Sequence, residues 1–327
     1  MIKGRPAAHA ILAFVAAVGM ALQPARAPAQ TYPSKSVRLL AGFAPGGPVD
    51  TVARVVAQRL PAYLGQSVVV ENRPGADATI AMELVAKSAP DGHTLYLIQP
   101  GVAINPALYR SVPFDPVKDF TPITLIGESP NLVAIHPSLP AKSLKELIAL
   151  ARGRPNQLFY GATSSPTLLA TELMSSMASI QITRVSYKGA APAFTALISG
   201  EVQLVISGIG TLLPLAKAGK VRGIAVTSAR RTTLAPDIPT VAEAGLPGYV
   251  ATTWYGIAAP GATPRNIVDR INADMRKVLA EPEVRALLQA QGIDEPSPST
   301  PEQLAELIRS EIAKWERVVK VAGVKVE

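Results

Sequence analysis

The chain has 327 residues, of which 48% are hydrophobic and only 5% are aromatic, and this is enough for two domains with sizeable cores. Its formal net charge is +8, but the Lys and Arg residues are scattered and lack interleaved aromatic side chains, which disfavours nucleic-acid binding. Because there is no cysteine, disulfide bonds and lipid attachment through a cysteine are excluded.

The first 29 residues have the pattern of a secretory signal peptide. A basic start precedes an apolar stretch from Ala10 to Leu22, which is too short for an ordinary transmembrane helix. Ala27 and Ala29 then occupy the −3 and −1 positions of a cleavage site. We therefore expect cleavage between Ala29 and Gln30 and export to the periplasm, with a retained membrane anchor as the alternative.

Downstream, short apolar runs alternate with segments of helical periodicity. Continuous apolar runs are typical of strands buried on both faces, and their alternation with helices predicts parallel or mixed sheets. The strand candidates are Val37–Gly42, Ser67–Glu71, Thr94–Gln99, Ile123–Gly127, Leu132–His136, Leu158–Gly161, Ile182–Tyr187, Val202–Ser207, Gly223–Thr227 and Thr252–Ala258. The helical segments between them cover 48–63, 78–88, 143–152, 167–178, 190–199 and 211–218.

The C-terminal part of the chain has a helical pattern. Helices are predicted to begin near Pro264, Pro282 and Thr300, and the last of these starts with a capping-box sequence. Trp315 lies on the apolar stripe of this last helix, so we assign it to the core rather than to a ligand contact.

The two alternating regions predict an α/β protein with two lobes. We place residues 30–127 and 252–327 in the first lobe and residues 128–251 in the second. Because no linker rich in Gly and Ser is present, extended segments near 124–136 and 249–259 are expected to join the lobes. Ligands of open α/β sheets bind beyond the carboxyl ends of strands, so we expect the ligand site in the cleft between the lobes.

A glycine-rich loop, Gly42 to Asp50, follows the first strand. It lacks the Lys-Ser/Thr pair of a Walker phosphate loop, and it does not match G-x-G-x-x-G. Pro48 is expected at the first helical position, with Gly47 as the N-cap and Asp50 at the third position. The amides of Gly46, Gly47 and Val49 can then bind one carboxylate, whereas Asp50 disfavours a multiply charged phosphate. A purely structural turn is the alternative.

Patterns for catalysis and metal binding are scarce. His93 and His136 have neither a nucleophile nor a paired carboxylate at a characteristic spacing. With two distant histidines and no cysteine, a transition-metal site is not expected. We therefore predict a binding protein rather than an enzyme, with no cofactor and no metal.

Polar and aromatic residues follow several predicted strands at one expected edge. Ser164, Ser165 and Thr167 lie at the start of a helix, where their hydroxyls and amides can cap the helix or bind a carboxylate. The other candidate ligand-binding residues, at strand ends and in a crossing segment, are Gln99, Ser207 and Trp254.

Nine segments spread over nearly the whole chain after the signal carry a family resemblance. They are "YPSKSVRLLAGFAPGGPVDTVAR", "VVVENRPGA", "APDGHTL", "INPALY", "FTPITLIG", "VSYKGAAPA", "VTSARR", "PDIPTVAEAGLPGY" and "IAAPGATP". In this order they resemble the tripartite tricarboxylate transporter receptors, also called the Bug family of periplasmic solute-binding proteins.

The resemblance implies a type II-like periplasmic binding protein that closes on a small organic acid and delivers it to the membrane permease subunits of a tripartite transporter. It also implies that the loop after the first strand holds a ligand carboxylate, largely through main chain and bridging water. The residues at these positions are Phe43, Ala44, Gly46, Gly47 and Asp50. We expect a monomer. A receptor that passes its ligand-bound form to a signalling partner is the alternative function.

Three departures from the family pattern fall near the expected cleft. "GADA" follows "ENRP" where the family usually has "GAGG", which introduces Asp77. Leu168 stands where the family commonly has a His, and Ser207 where it commonly has an Asp. The loss of an imidazole and an acid predicts a less polar second lobe. It also disfavours amino-acid ligands, whose ammonium group would need that Asp.

Overall fold

The computed structural model describes residues 32–187 and 189–324, so the expected signal peptide and its cleavage site lie outside the described residues. Within these ranges the chain forms ten strands and eleven helices. The strands are β1 (Val37–Ala41), β2 (Val68–Asn72), β3 (Thr94–Ile98), β4 (Phe120–Ser129), β5 (Asn131–Ile135), β6 (Phe159–Ala162), β7 (Thr183–Ser186), β8 (Leu204–Gly208), β9 (Arg222–Val226) and β10 (Thr253–Pro260). The helices are α1 (Pro48–Arg59), α2 (Pro61–Leu64), α3 (Thr79–Ala86), α4 (Gly101–Leu108), α5 (Leu144–Gly153), α6 (Ser165–Ala178), α7 (Ala190–Ser199), α8 (Ile209–Lys217), α9 (Arg265–Ala280), α10 (Pro282–Ala290) and α11 (Pro301–Ala322).

The strands form two five-stranded mixed sheets. The first has the order β2-β1-β3-β10-β4, in which β1, β2 and β3 are parallel and β10 is antiparallel to both of its neighbours. The second has the order β7-β6-β8-β5-β9, in which β6, β7 and β8 are parallel and β5 is antiparallel to both of its neighbours. We call each sheet with its helices the first and the second lobe. The predicted two-lobed α/β fold is confirmed.

Helices cover both faces of the first sheet, which explains why its inner strands are apolar on both sides. The adjacent residues Leu39 and Leu40 are both fully buried, yet they point to opposite faces and belong to different apolar clusters. Helices α1, α9 and α10 cover one face, and α3, α4 and α11 cover the other. No helix in the described ranges is both long enough and apolar enough to span a bilayer.

Two local differences from the predicted elements have physical causes. The helix predicted over 48–63 is divided into α1 and α2, because Pro61 has no N–H and starts a new helix at its first position. Helix α4 was not predicted, because it is apolar on almost every side and contains Pro106, so no amphipathic stripe marks it.

Two extended crossing segments join the lobes, as predicted. One runs from β4 through Pro130 into β5, and the other enters β10 from Ala251. Asn131 connects them, because its Nδ2 donates to the Ala251 carbonyl at 2.9 Å and its backbone N–H donates to Thr227 Oγ1 at 2.8 Å. Asn131 is buried, so this amide holds the two segments together inside the protein.

The C-terminal helix α11 packs against both lobes. Leu304 and Ile308 belong to an apolar cluster of the first lobe, whereas Trp315 and Val318 belong to a cluster of the second. Trp315 is 1% exposed, which confirms its assignment to the core. The residue boundaries of the two lobes stay a prediction.

We expect Asn131→Ala to destabilise the protein by about 1–3 kcal/mol, because the buried Ala251 carbonyl loses its donor. Urea unfolding followed by circular dichroism measures this change. The exposed Asn266 provides a control, and Asn266→Ala is expected to change the free energy of unfolding by less than about 0.5 kcal/mol. Equal stability of Asn131→Ala and the wild type would contradict the role of Asn131.

Candidate functional site

The loop between β1 and α1 has the cap geometry that its sequence predicts. Gly46 has φ +84°, a left-handed conformation that glycine adopts without steric cost. Gly47 is the N-cap of α1 in an extended conformation, and Pro48 occupies the first helical position. Asp50 therefore lies at the third position, where its side chain can reach back to the loop.

The Asp50 carboxylate organises this loop. Its Oδ2 accepts the Gly46 N–H at 2.9 Å and Arg54 Nε at 2.9 Å, and its Oδ1 accepts Asn72 Nδ2 at 3.0 Å. Asn72 also donates to the Phe43 carbonyl at 3.0 Å. Burial opposes ionisation of Asp50, but the hydrogen bonds from Arg54, Gly46 and Asn72 outweigh it and lower the pKa of this carboxyl group.

These contacts determine which backbone amides and side chains of the loop remain available to bind a ligand. The Gly46 amide is already engaged by Asp50, so it serves the turn. The first-turn amides of α1, which include that of Val49, have no partner within the helix. Ala44 and Gly46 are exposed, and Phe43 packs against the apolar cluster that contains Trp254. Ligand contact by this loop stays a prediction.

The loop between β2 and α3 is strained. Ala76, Asp77 and Ala78 have φ values of +46°, +50° and +69°, although none of them is glycine. A left-handed backbone costs such residues about 1–2 kcal/mol each. Asn105 on α4 helps to hold this loop, because its Nδ2 donates to the Asp77 carbonyl at 2.9 Å and approaches Thr79 Oγ1 at 3.2 Å. Strain of this kind persists only where the surroundings determine the conformation.

Three loops converge at the carboxyl ends of β1, β2 and β3. A Cβ atom on Gly42 would lie 2.4 Å from Ala78 Cβ and 3.3 Å from the Tyr96 hydroxyl, so glycine is required for this close approach. Burial and the charge of Asp77 raise the pKa of Tyr96, and the neighbouring Gln99 amide opposes this shift. The loop between β1 and α1 (the β1 loop), Asp77 and Gln99 therefore lie around the Tyr96 hydroxyl.

Two buried N–H donors at this edge lack a well-directed hydrogen bond within the described ranges. Gln99 uses Oε1 to accept the Gly101 N–H at 3.0 Å, whereas its Nε2 lies next to the Tyr96 hydroxyl and forms no well-directed hydrogen bond to a described residue. Trp254 Nε1 is likewise buried without a described partner. Gly256 pairs with Ile98 on the antiparallel β3, so Trp254, two residues earlier, lies beyond the carboxyl end of β3. Both donors belong to residues that the sequence predicts as ligand contacts.

The second lobe contributes the start of α6. Ser164 is its N-cap, and Thr167 Oγ1 accepts the Ser164 N–H at 3.2 Å, which is half of a capping box. The Ser165 N–H donates to Asp77 Oδ2 of the first lobe at 2.9 Å. Ser165 Oγ donates to Asn105 Oδ1 at 3.0 Å. The predicted residues Ser164, Ser165 and Thr167 therefore cap α6, and Ser165 also joins the lobes.

Asp77 occupies a position with unusual electrostatics. Desolvation raises the pKa of its carboxyl group, and the hydrogen bonds from Ser165 only partly oppose this effect. The carboxylate lies at the N-terminus of α6, where the helix dipole and the open amides favour a negative charge.

The remaining predicted residues lie apart from this contact. Ser207 is buried on β8 opposite Leu132, and among the described contacts none connects it with Asp77 or Gln99. Leu168 is buried in the apolar core of the second lobe. Sequence reasoning missed Asn105 and Tyr96 as parts of the site. The signals for Asn105, which is completely buried, were a single Asn inside the apolar run "GVAINPAL" and its place in the family segment "INPALY".

Two α/β lobes with loop-bearing edges in contact define the class of two-lobed solute-binding proteins. The sequence profile of the tripartite tricarboxylate transporter family receptor (TctC) matches residues 52–324. BugT of Bordetella pertussis is 35% identical over 318 residues, which cover 96% of this chain and 96% of BugT. The chain belongs to the tripartite tricarboxylate transporter receptor family, the Bug-type periplasmic solute-binding proteins.

Solved structures show the same fold. An R. palustris protein with adipate is 39% identical and has a TM-score of 0.83, with coverage of 90% of this chain and 99% of that protein. MatC from Rhodopseudomonas palustris with bound malate is 35% identical and has a TM-score of 0.79, with coverage of 88% of this chain and 100% of MatC.

We expect Asp50→Ala to lower the free energy of unfolding by about 2 kcal/mol, because the Gly46 amide and the Asn72 amide group lose a charged acceptor. Chemical denaturation measures the loss. Asp237 is exposed, and Asp237→Ala serves as the control that should change stability by less than about 0.5 kcal/mol. Equal losses in the two variants would show that Asp50 has no special role in the turn.

The lowered pKa of Asp50 also predicts a pH dependence. A carboxyl group whose pKa is lower in the folded protein stabilises the fold fully above its unfolded pKa of about 3.9, and this stabilisation is lost as the pH falls through the folded pKa. The stability difference between the wild type and Asp50→Asn should therefore be largest near pH 6 and should shrink below about pH 4. A difference that stays constant from pH 6 to pH 3 would exclude this ionisation.

Proposed function

We propose that this protein is a periplasmic receptor that captures a small organic carboxylate between its lobes and delivers it to the membrane permease subunits of a tripartite transporter. The observation that carries the proposal is the pair of buried N–H donors of Gln99 and Trp254, which lie at the edge where the lobes meet and form no well-directed hydrogen bond to a described residue. Relatives solved with adipate and with malate support a carboxylate as the ligand.

The binding step requires hydrogen bonds and no covalent chemistry. A ligand carboxylate at the edge of the first sheet can accept hydrogen bonds from Gln99 Nε2, from Trp254 Nε1 and from open amides of the β1 loop. Closure of the lobes removes water from these bonds and strengthens them. Several distributed hydrogen bonds suit a receptor better than one buried ion pair, because the receptor has to release its ligand.

The N-terminal sequence supports the same assignment. The basic start, the apolar stretch and the Ala-x-Ala site before Gln30 are the pattern of a cleaved signal peptide. The family consists of periplasmic solute-binding proteins, and such a receptor meets its ligand outside the inner membrane.

Transport and sensing make different predictions in cells. Deletion of the gene should reduce uptake of the bound acid if the receptor serves a permease. Loss of a transcriptional response to the acid with normal uptake would instead favour the signalling alternative. Radiolabelled uptake and reporter expression, measured on the same deletion strain, separate the two roles.

We expect at least one acid from a panel of mono-, di- and hydroxycarboxylates to raise the melting temperature of the wild type and to bind in calorimetry. Gln99→Glu keeps the acceptor for Gly101 but replaces the free donor by an anion, so it should weaken binding about tenfold or more. Hydrophobic alcohols of the same chain length should not bind.

Gln203→Glu is the matched control for this substitution. Gln203 also loses one donor, which serves the Gly200 carbonyl at 2.9 Å, but it lies next to the amino end of β8, away from the cleft. The affinity of Gln203→Glu for the bound acid should stay within about twofold of that of the wild type. If no acid in the panel binds the wild type, the proposed function is wrong.

A further inference from the structure

Asp77 reaches across the cleft and places a carboxylate on the second lobe. Its backbone belongs to the loop after β2 of the first lobe, and its Oδ2 accepts the Ser165 N–H of α6 at 2.9 Å. Asn105 fixes the backbone of Asp77 through the carbonyl at 2.9 Å and also accepts Ser165 Oγ at 3.0 Å. The carboxylate is therefore bound by the second lobe, whereas Asn105 of the first lobe holds the backbone of Asp77.

The position of this carboxylate restricts the charge of a ligand. At this contact, the first turn of α6 is where the second lobe favours a negative charge. The Asp77 carboxylate already supplies that charge, because it accepts the Ser165 N–H. A ligand carboxylate that approached the same turn would face Asp77 in a partly desolvated space, where like charges repel strongly. A hydroxyl or amide group there can instead donate a hydrogen bond to Asp77.

The first lobe offers hydrogen-bond donors to a ligand, whereas Asp77 offers an acceptor. Gln99 Nε2 and Trp254 Nε1 are buried donors without a well-directed hydrogen bond to a described residue, and Gln99 lies beside the same Tyr96 hydroxyl that Asp77 influences. These donors are independent of the α6 terminus, and they suit a carboxylate. The contact between the lobes therefore presents buried donors on the first sheet and an acceptor, the Asp77 carboxylate, at the start of α6.

We propose that Asp77 determines the ligand specificity of the cleft: it fills the anion position at the start of α6, so the protein prefers a ligand with one carboxylate and a hydrogen-bond donor at its far end over a dicarboxylate. This inference rests on the proposed function as a carboxylate receptor. A role of Asp77 in ligand specificity also gives a reason for the strained backbone of Ala76, Asp77 and Ala78.

The test compares matched ligand pairs by isothermal titration calorimetry at pH 7.5. Each pair has one chain length of three to six carbons and consists of the ω-hydroxy acid and the dicarboxylate, such as 6-hydroxyhexanoate and adipate. The proteins are the wild type, Asp77→Asn and Asp77→Gly. Asn keeps an acceptor for the Ser165 N–H and tolerates a left-handed backbone, and Gly removes the side chain without strain.

Asp91→Asn is the matched control, because Asp91 also accepts a backbone amide, that of His93 at 2.9 Å, but lies before β3 at the opposite end of the sheet. We expect the wild type and this control to bind the hydroxy acid about tenfold or more tightly than the dicarboxylate. In Asp77→Asn and Asp77→Gly the ratio should fall by about tenfold or more, because dicarboxylate binding becomes tighter.

Three results would overturn the inference. The first is a preference of the wild type for dicarboxylates. The second is an unchanged ratio in both Asp77 variants, including the case in which both variants bind every acid more tightly by the same factor, as expected if Asp77 only holds the lobes together. The third is the absence of binding of any acid to any of the proteins, which would refute the proposed function and this inference with it.

Discussion

The hydrogen bond from the Ser165 amide to the Asp77 carboxylate joins the loop-bearing edges of the two lobes. It exists because parallel strands bring their carboxyl ends to one edge of each sheet, and the helices that follow begin at that edge with open amides. The loop of one lobe can therefore satisfy the helix start of the other. Asn105 joins the same contact, so a buried polar network rather than apolar packing alone connects the loops at the cleft.

The two carboxylates at this edge, those of Asp50 and Asp77, have different roles. Asp50 accepts hydrogen bonds from Gly46, Arg54 and Asn72, so it shapes the β1 loop. Asp77 contacts the other lobe and has a raised pKa, whereas that of Asp50 is lowered. Their environments explain the difference, because three donors surround Asp50 while Asp77 is mainly desolvated. The proposed role in ligand specificity therefore falls to Asp77 and not to Asp50.

Local chemistry made much of this molecule predictable from the sequence. The position of Asp50 follows from Gly47 and Pro48, and the buried strands follow from their continuous apolar runs. The role of Asn105 did not follow, because its partners lie 28 and 60 residues away and meet it only in the folded protein. Helix α4, which carries Asn105, has no amphipathic stripe, so the sequence predicted neither the helix nor the role of Asn105.

A crystal structure of the protein with a bound ω-hydroxy acid would show directly which groups hold each end of the ligand. We expect the ligand carboxylate within hydrogen-bond distance of Gln99 Nε2 or Trp254 Nε1, with the Ser165 amide still donating to Asp77 and the ligand hydroxyl donating to the same Asp77 carboxylate. A ligand carboxylate bound to the Ser165 amide with Asp77 displaced, or a ligand bound outside the contact between the lobes, would contradict this expectation.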